Sequence, residues 1–372
     1  MKVLGLMSGT SADGVDAVLA EFTGPPQRPR WRILESASLP YASALHREVL
    51  ALGQGTPLAP ADWLALSEAV TEAQAAAARA CDPRGQAELI GCHGQTVWHR
   101  PPTDQRRGAS QQLLQGPLLA ALLERPVVFD FRAADLALGG QGAPLVPPAD
   151  QALLGPTGGW RAVLNLGGIA NLTLIPPAQG PSRAAPLRGW DCGPANSLID
   201  LAVARFSGGS QRCDLGGAWA ARGQVDEACI SRWLQEPYLQ QHPPKSTGRE
   251  VFGQADLERR LSELQGTEPA NALATLTAFS AACVAQDLQH CQALELLVAG
   301  GGCRNATLMA QLRQRCLGTI VRPLSELGIA DHQREALAFA LLAWWHQRGH
   351  AGNGPSVTGA QRPTVLGVCA RP

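Results

Sequence analysis

Five signals are missing from the 372 residues, and each absence removes a class of function. Neither charge is in surplus, since Lys plus Arg number 31 and Asp plus Glu 31. Nothing global therefore points to a polyanion-binding surface, and nucleic acid is not expected as a partner. No window reaches the roughly 18 apolar residues that a membrane span needs. The amino terminus runs from a single lysine straight into a polar loop, which leaves no room for the apolar centre of a signal peptide. A soluble, cytoplasmic chain with no membrane partner is the expectation. The ten cysteines include no CxxC pair and no compact cluster, a usage that fits reduced thiols rather than a disulfide framework or a zinc site. Finally, neither GxxxxGK[ST] nor GxGxxG occurs, so a Walker A loop and a dinucleotide fingerprint are both excluded, and a nicotinamide oxidoreductase is disfavoured.

What is present begins at once. Lys2 to Phe22, KVLGLMSGTSADGVDAVLAEF, reads as a strand, a hydroxyl-rich turn and a returning strand. The turn offers Ser8, Thr10 and Ser11, the small Gly9, Ala12 and Gly14, and the carboxylates of Asp13 and, just beyond Val15, Asp16. Such a loop can hold a phosphate chain and its metal, although turns are rich in these residues for their own reasons. With 45% hydrophobic residues the chain is long and apolar enough for two core-bearing domains.

Further along, Trp31 to Ser38 continues a strand meander, and Asp62 to Ala80 has helical spacing with Asp62 placed to cap it. The strand Glu88 to Cys92 runs into Gly91-Cys92-His93-Gly94-Gln95-Thr96, polar groups at an apolar strand end, where α/β proteins place ligand-binding side chains. The spacing of His93 and His99 matches no common metal site. Gln115 to Arg125 reads as a helix, and Val127 to Phe131 as a strand leading to Arg132 and Asp135. GGQGAPLVPP, residues 139 to 148, is too rich in Gly and Pro to continue either element and marks the boundary between domains at 1–140 and 141–372.

Beyond the boundary, Arg161 to Ile175 repeats the opening device around Gly167 and Gly168, which suggests duplicated lobes. Asp191 stands at a strand end before the helix Ser197 to Phe206, where a carboxylate serves either as a cap or as a general base; Asn196 competes for the cap. Lys245 and Arg249 in PPKSTGRE are candidates for phosphate or carboxylate, set against a plainly solvated basic loop. Asn271 to Cys291 is a long helix and Leu294 to Ala299 a buried strand. Gly300, Gly301 and Gly302, then Asn305 and the helix Ala306 to Arg315, form a strand–glycine–helix platform on which backbone can lie against a flat ligand. Arg334 and Glu335 open a last helical run.

In that order these features resemble the actin, hexokinase and Hsp70 ATPase superfamily. MSGTSADGVD, GCHGQT, FRAAD, GGQGAPLVP, NLGGIANLT, WDCGPAN, PPKSTGRE and GGGCRN are similar, over nearly the whole chain, to the anhydro-N-acetylmuramic acid kinase family. The resemblance implies an α/β fold of two duplicated ribonuclease H-like lobes with a nucleotide cleft between them, and a carboxy-terminal segment free to pack back on the first lobe. It implies ATP and Mg²⁺ as cofactors, a small anhydro sugar as acceptor, a homodimer, and a place in peptidoglycan recycling. By motif, residues Gly9 to Asp16 with Gly167 and Gly168 would line the ATP phosphates, Asp13 being the one candidate for Mg²⁺. Gly300, Gly301, Gly302 and Asn305 would support the nucleoside. Gln95, Thr96, Arg132, Asp135 and Glu335 would surround the sugar. Asp191 would be the base that activates water for ring opening, while the released oxygen takes the γ-phosphoryl group. Ala12, Cys192, Ala195 and Cys213 depart from the family pattern, and none of these changes removes a charged or nucleophilic group. Another sugar kinase of the superfamily and a non-catalytic ATPase switch are the rival readings.

Overall fold

The computed structural model describes residues 1–243, 245–264 and 266–372. The apolar runs at the start form β1 (Lys2–Ser8) and β2 (Gly14–Thr23), and β3 (Arg30–Pro40) completes the meander. Helices α1 (Ser43–Gly53) and α2 (Pro60–Cys81) follow. Asp62 does not cap α2; Pro60 takes the first turn, where a missing N–H costs nothing, and Asp62 lies one step inside it. Next come β4 (Leu89–Arg100), β5 (Ala109–Leu113), α3 (Gly116–Leu123), β6 (Val127–Phe129), α4 (Ala133–Ala137) and α5 (Val146–Leu154). The polar GCHGQT stretch is thus no loop. It stays within β4, because Gln95 to Arg100 find an antiparallel partner in β5.

The second half contains β7 (Trp160–Leu166), β8 (Ile169–Ile175), β9 (Arg188–Pro194), α6 (Ser197–Phe206), α7 (Glu227–Trp233), α8 (Gln254–Glu263), α9 (Pro269–Gln289), β10 (Ala293–Ala299), α10 (Ala306–Arg315) and β11 (Ile320–Pro323). The chain ends with α11 (Arg334–Gln347), α12 (Pro355–Thr358) and β12 (Val368–Ala370). Among the described residues no helix is long and apolar enough to cross a membrane.

Two compact units result, one of residues 1–155 with 332–372 and one of residues 156–331. The Gly/Pro stretch at 139–148 does not end the first unit. Its Pro147 and Pro148 sit in the first turn of α5, a position that tolerates proline, and α5 belongs to that unit.

Each unit is built around one sheet with the same plan. In the first the order is β12-β6-β4-β1-β2-β3, in the second β11-β10-β7-β8-β9. In both, an antiparallel three-strand meander supplies one side, and parallel strands added next to its first strand supply the other. That is the ribonuclease H-like arrangement, present twice.

In the first unit α11 closes the sheet, its side chains buried from Ala336 to Trp345. A Cβ on Gly5 would lie 1.9 Å from the Ala336 carbonyl oxygen, and one on Gly91 2.2 Å from that of Phe339. Only glycine at these two strand positions lets the helix backbone come so near. On the opposite face Leu4, Leu6, Ala17 and Leu19 pack with Leu66 and Val70 of α2. In the second unit α9 is buried along most of its length. Its Val284 joins the sheet residues Leu164, Leu172 and Leu296, while its Phe279 joins Leu198, Trp233 and Phe252.

Candidate functional site

The β1–β2 turn is shaped from within the first unit. Ala12 is buried with φ +54°, a left-handed conformation that a residue with a Cβ adopts at a cost, and its N–H donates to the Gly9 carbonyl. Gln95 clamps the turn from β4. Its Nε2 donates to the Gly9 carbonyl at 3.0 Å, and its Oε1 lies 2.6 Å from Ser8 Oγ. Gln95 is fully buried and its amide is spent on this task. It therefore shapes the phosphate-loop candidate rather than touching a sugar, as the motif had suggested. Thr10, Ser11 and Asp13 remain exposed on the turn, while Val15 points into the core. Asp16 accepts a hydrogen bond from Ser38 on β3.

Behind β4 lies a charged group. His93 is neutral: burial and the neighbouring Arg132 hold its pKa well below the usual value. Its Nδ1 is 2.9 Å from the Gly94 carbonyl, and its Nε2 receives Arg132 Nε at 3.1 Å. Since the guanidinium can only donate, the ring proton is assigned to Nδ1. Arg132 also donates Nη1 to the Gly142 carbonyl at 2.7 Å. Burial brings its pKa down to about 10, against the pull of Glu335, so it stays cationic at neutral pH. Glu335 is half-buried, and burial raises its pKa despite Arg334 and Arg132. Arg334 forks onto the buried carboxylate of Asp150.

Thr96 accepts from the Gln112 amide at 3.2 Å. Asp135 differs from expectation. Its carboxylate is completely buried and accepts from the Gly142 N–H, Asn353 Nδ2 and Thr358 Oγ1, each at 2.8 Å. It ties the 139–142 turn to the end of the chain and has no face left for a sugar.

In the second unit the β7–β8 turn is held by its carbonyls. Gly168 accepts from the Ala195 and Ser197 N–H groups, and Gly167 from the Asn196 N–H. Asn196 Nδ2 adds bonds to the Leu166 and Gly167 carbonyls at 3.1 and 2.7 Å. Asn196 thus braces the turn instead of capping α6 with its side chain. The Ser197 hydroxyl at the start of α6 is buried with no partner among the described residues. Arg249 is exposed, and its guanidinium lies 3.6 Å from where a Gly168 Cβ would stand. Burial pushes Asp200, on the first turn of α6, up to about 6 against the attraction of Arg249.

The glycine platform packs on the same turn. A Cβ on Gly302 would fall 2.5 Å from that of Leu166, so the 300–302 backbone sits directly on the end of β7. Gly301 is open, with nothing within 4 Å of its Cβ position. Asn305 accepts the Leu308 N–H on its Oδ1 and caps α10.

Asp191 is not at the end of β9 but inside it, paired with Asn171 beside a register shift. Its Oδ2 accepts from Ser246 Oγ and from the Thr247 N–H, both at 3.0 Å. Its own N–H donates to the Lys245 carbonyl, and its carbonyl accepts from Tyr238 Oη at 2.8 Å. Oδ1 takes no hydrogen bond among the described residues and is the free basic atom. Burial raises the pKa of this half-buried group, the Thr247 and Ser246 bonds lower it, and Glu250 raises it again.

PPKSTGRE, then, is not uniformly solvated: Arg249 is exposed, whereas Lys245 is buried. Pro244 lies outside the described residues; Lys245 is buried against Asp287, with Nζ 2.9 Å from Oδ1. Ser246, Thr247 and Tyr238 are the site residues that the sequence reading missed. The first two lay in a motif judged for its charges, and a lone tyrosine carries no signal at all.

A sequence profile described as anhydro-N-acetylmuramic acid kinase matches residues 1–371. Proteins of the same description are 64% identical over 378 residues in Synechococcus sp. (strain CC9605) and 63% identical over 378 residues in Prochlorococcus marinus (strain MIT 9303). A third, from Prochlorococcus marinus (strain MIT 9211), is 51% identical over 378 residues. In all three the alignment spans 100% of both chains.

Proposed function

This chain belongs to the anhydro-N-acetylmuramic acid kinase family and is an ATP-dependent sugar kinase; we propose that its acceptor is 1,6-anhydro-N-acetylmuramic acid. In the same turnover the anhydro ring is opened by water, giving N-acetylmuramic acid 6-phosphate and ADP, a step of peptidoglycan recycling. The observation that carries this reading is Asp191, with one carboxylate oxygen fixed by two donors and the other free. A plain phosphoryl transfer to a hydroxyl asks chiefly for alignment and charge stabilisation. Adding water to an anomeric carbon asks for a base, and a carboxylate with a raised pKa is suited to be one.

Asp191 Oδ1 takes a proton from water as the water oxygen bonds to C1. The C1–O6 bond breaks, O6 bonds to the γ-phosphorus, and the bond from that phosphorus to the β-phosphate bridge breaks to release ADP. Gly9 to Asp13 of the first unit, and Gly167, Gly168 and Arg249 of the second, are the groups assigned to phosphate. Gly300, Gly301 and Gly302 are assigned to the nucleoside, and Arg132 to the substrate carboxylate, its guanidinium anchored through Nε and Nη2 on His93 Nε2. Asp13 fits a hard cation, since its exposed carboxylate has no hydrogen-bond partner among the described residues. Mg²⁺ held there would neutralise phosphate oxygens.

The test is turnover of this sugar with ATP and Mg²⁺ in ¹⁸O-water. One label at C1 of a phosphorylated, ring-opened product is expected. Phosphorylation with the ring intact would overturn the hydrolytic step. Turnover of other hexoses only would overturn the acceptor, and ATP hydrolysis without any transfer would favour the switch.

A further inference from the structure

Directly behind Asp191 lies a buried ion pair that the reaction above does not use. Lys245 Nζ is 2.9 Å from Asp287 Oδ1 on α9, and the two side chains are 1% and 5% exposed. The other oxygen of Asp287 accepts Trp190 Nε1–H at 2.9 Å. Trp190 is the residue before Asp191 on β9, and Lys245 is the residue before Ser246. One carboxylate on a long buried helix therefore holds both strands of backbone that meet at Asp191. Between them, the Asp191 N–H donates to the Lys245 carbonyl. Tyr238 completes the frame, with its hydroxyl on the Asp191 carbonyl and its ring 5.4 Å from Lys245 Nζ.

We propose that Lys245, Asp287 and Tyr238 are positioning residues that fix the 245–247 segment in register, so that Ser246 and Thr247 hold one oxygen of Asp191 and aim the other. A buried ion pair is a poor way to gain stability, because a well-packed apolar pair does as well, but it is a good way to select one register. Register matters here because the Thr247 donor is a backbone N–H. A shift of the segment carries it off Oδ2, and misplacement of a reacting group by about 1 Å can cost ~10²-fold in rate. The inference rests on Asp191 being the base.

The test uses Lys245→Met combined with Asp287→Asn, which removes both charges, fills the lysine stem volume and leaves an acceptor for Trp190. Two readouts are compared with the unsubstituted protein: sugar-kinase kinetics, and the Asp191 carboxyl titration followed by ¹³C NMR, which needs no turnover. Of the titratable and charged groups around it, Glu250 raises the Asp191 pKa and Asp191 in turn raises that of Tyr238, while Lys245, Asp287, Cys192 and Cys283 act on one another in the adjoining buried cluster. Loss of the Ser246 and Thr247 bonds removes the influences that lower the Asp191 pKa, so it rises further. We expect kcat to fall about tenfold or more, KM for ATP to stay within about twofold, and the acid limb of kcat to move to higher pH.

Tyr238→Phe, which deletes one hydroxyl and keeps the fold, is expected to lower kcat about threefold or more with KM for ATP unchanged. An Asp191 titration unmoved in the folded double variant overturns the proposal. Should the double variant not fold, wild-type kcat in Tyr238→Phe overturns it. An unsubstituted protein that fails to turn over the sugar while the variant titration still moves would count against the acceptor and leave the positioning role standing.

Discussion

An Asp191→Asn variant loses about 10²- to 10⁴-fold in kcat, the range that a general base contributes. The substitution is informative because asparagine keeps an oxygen for the Ser246 hydroxyl and the Thr247 N–H. Its amide nitrogen then occupies the place of Oδ1, where it has no lone pair to take a proton. Geometry is retained and basicity removed, so KM for ATP should hardly move. The base must be ionised to act, so in the unsubstituted protein kcat falls as pH drops through the Asp191 pKa. Burial raises that pKa from the ordinary aspartate value, which puts the acid limb higher than an exposed aspartate would. Asp200 is also raised, to about 6, and is the other carboxyl near this site whose titration could shape an acid limb. An Asp200→Asn variant that erased the limb while Asp191→Asn kept full activity would assign the base elsewhere. The stability linkage has the opposite sense. A carboxyl that holds its proton more tightly when folded stabilises the fold at low pH, and this contribution is lost as pH rises through the folded pKa.

Asp135→Ala has the largest expected effect on stability, a loss of about 3–5 kcal/mol, measured by chemical denaturation. The estimate comes from what is left behind. Three donors, the Gly142 N–H, Asn353 Nδ2 and Thr358 Oγ1, lose their shared acceptor in a site without solvent, and a buried unsatisfied polar group costs ~1–3 kcal/mol. Part of that is recovered by relaxation, because Asn353 Nδ2 also reaches the Arg362 carbonyl and Thr358 Oγ1 the Gly354 carbonyl. Asp135→Asn should cost less, because its oxygen keeps Asn353 Nδ2 and Thr358 Oγ1 and only the Gly142 N–H is left facing an amide donor. A variant with unchanged stability and a raised sugar KM would restore Asp135 to the sugar site and sink this account.

These two aspartates show where a sequence can be read and where it cannot. The strands of both hairpins, α6 and α10 were legible because period-2 and period-3.6 patterns are local properties of the chain. Asp191 was singled out because a carboxylate beside a helix start that already has Asn196 is chemically conspicuous. Asp135 and Gln95 were just as conspicuous, yet they serve as braces. Nothing local distinguishes a buried carboxylate saturated by distant donors from an exposed one, since its partners Asn353 and Thr358 are more than two hundred residues away. The same holds for Lys245, whose lysine type argued for solvent while Asp287, on a distant helix, argued for burial. The extent of β4 through GCHGQT was missed for a related reason. Its polar end is made a strand by β5, not by its own composition.

The seam between α11 and the strands at Gly5 and Gly91 has a consequence for how the protein is made. The first unit is assembled from both ends of the chain, whereas the second is one continuous stretch. During synthesis the opening strands emerge early but cannot finish folding, because the helix that must lie on Gly5 and Gly91 follows the whole of the second unit. Residues 156–331 have all their partners earlier and close first, although domains that fold as units usually do so from the amino terminus. A released chain truncated after residue 331 therefore carries a complete second unit beside an uncovered sheet, and limited proteolysis is expected to cut it within the first 155 residues. The β1–β2 hairpin waits, in this sense, for a helix that is encoded after the whole of the other unit.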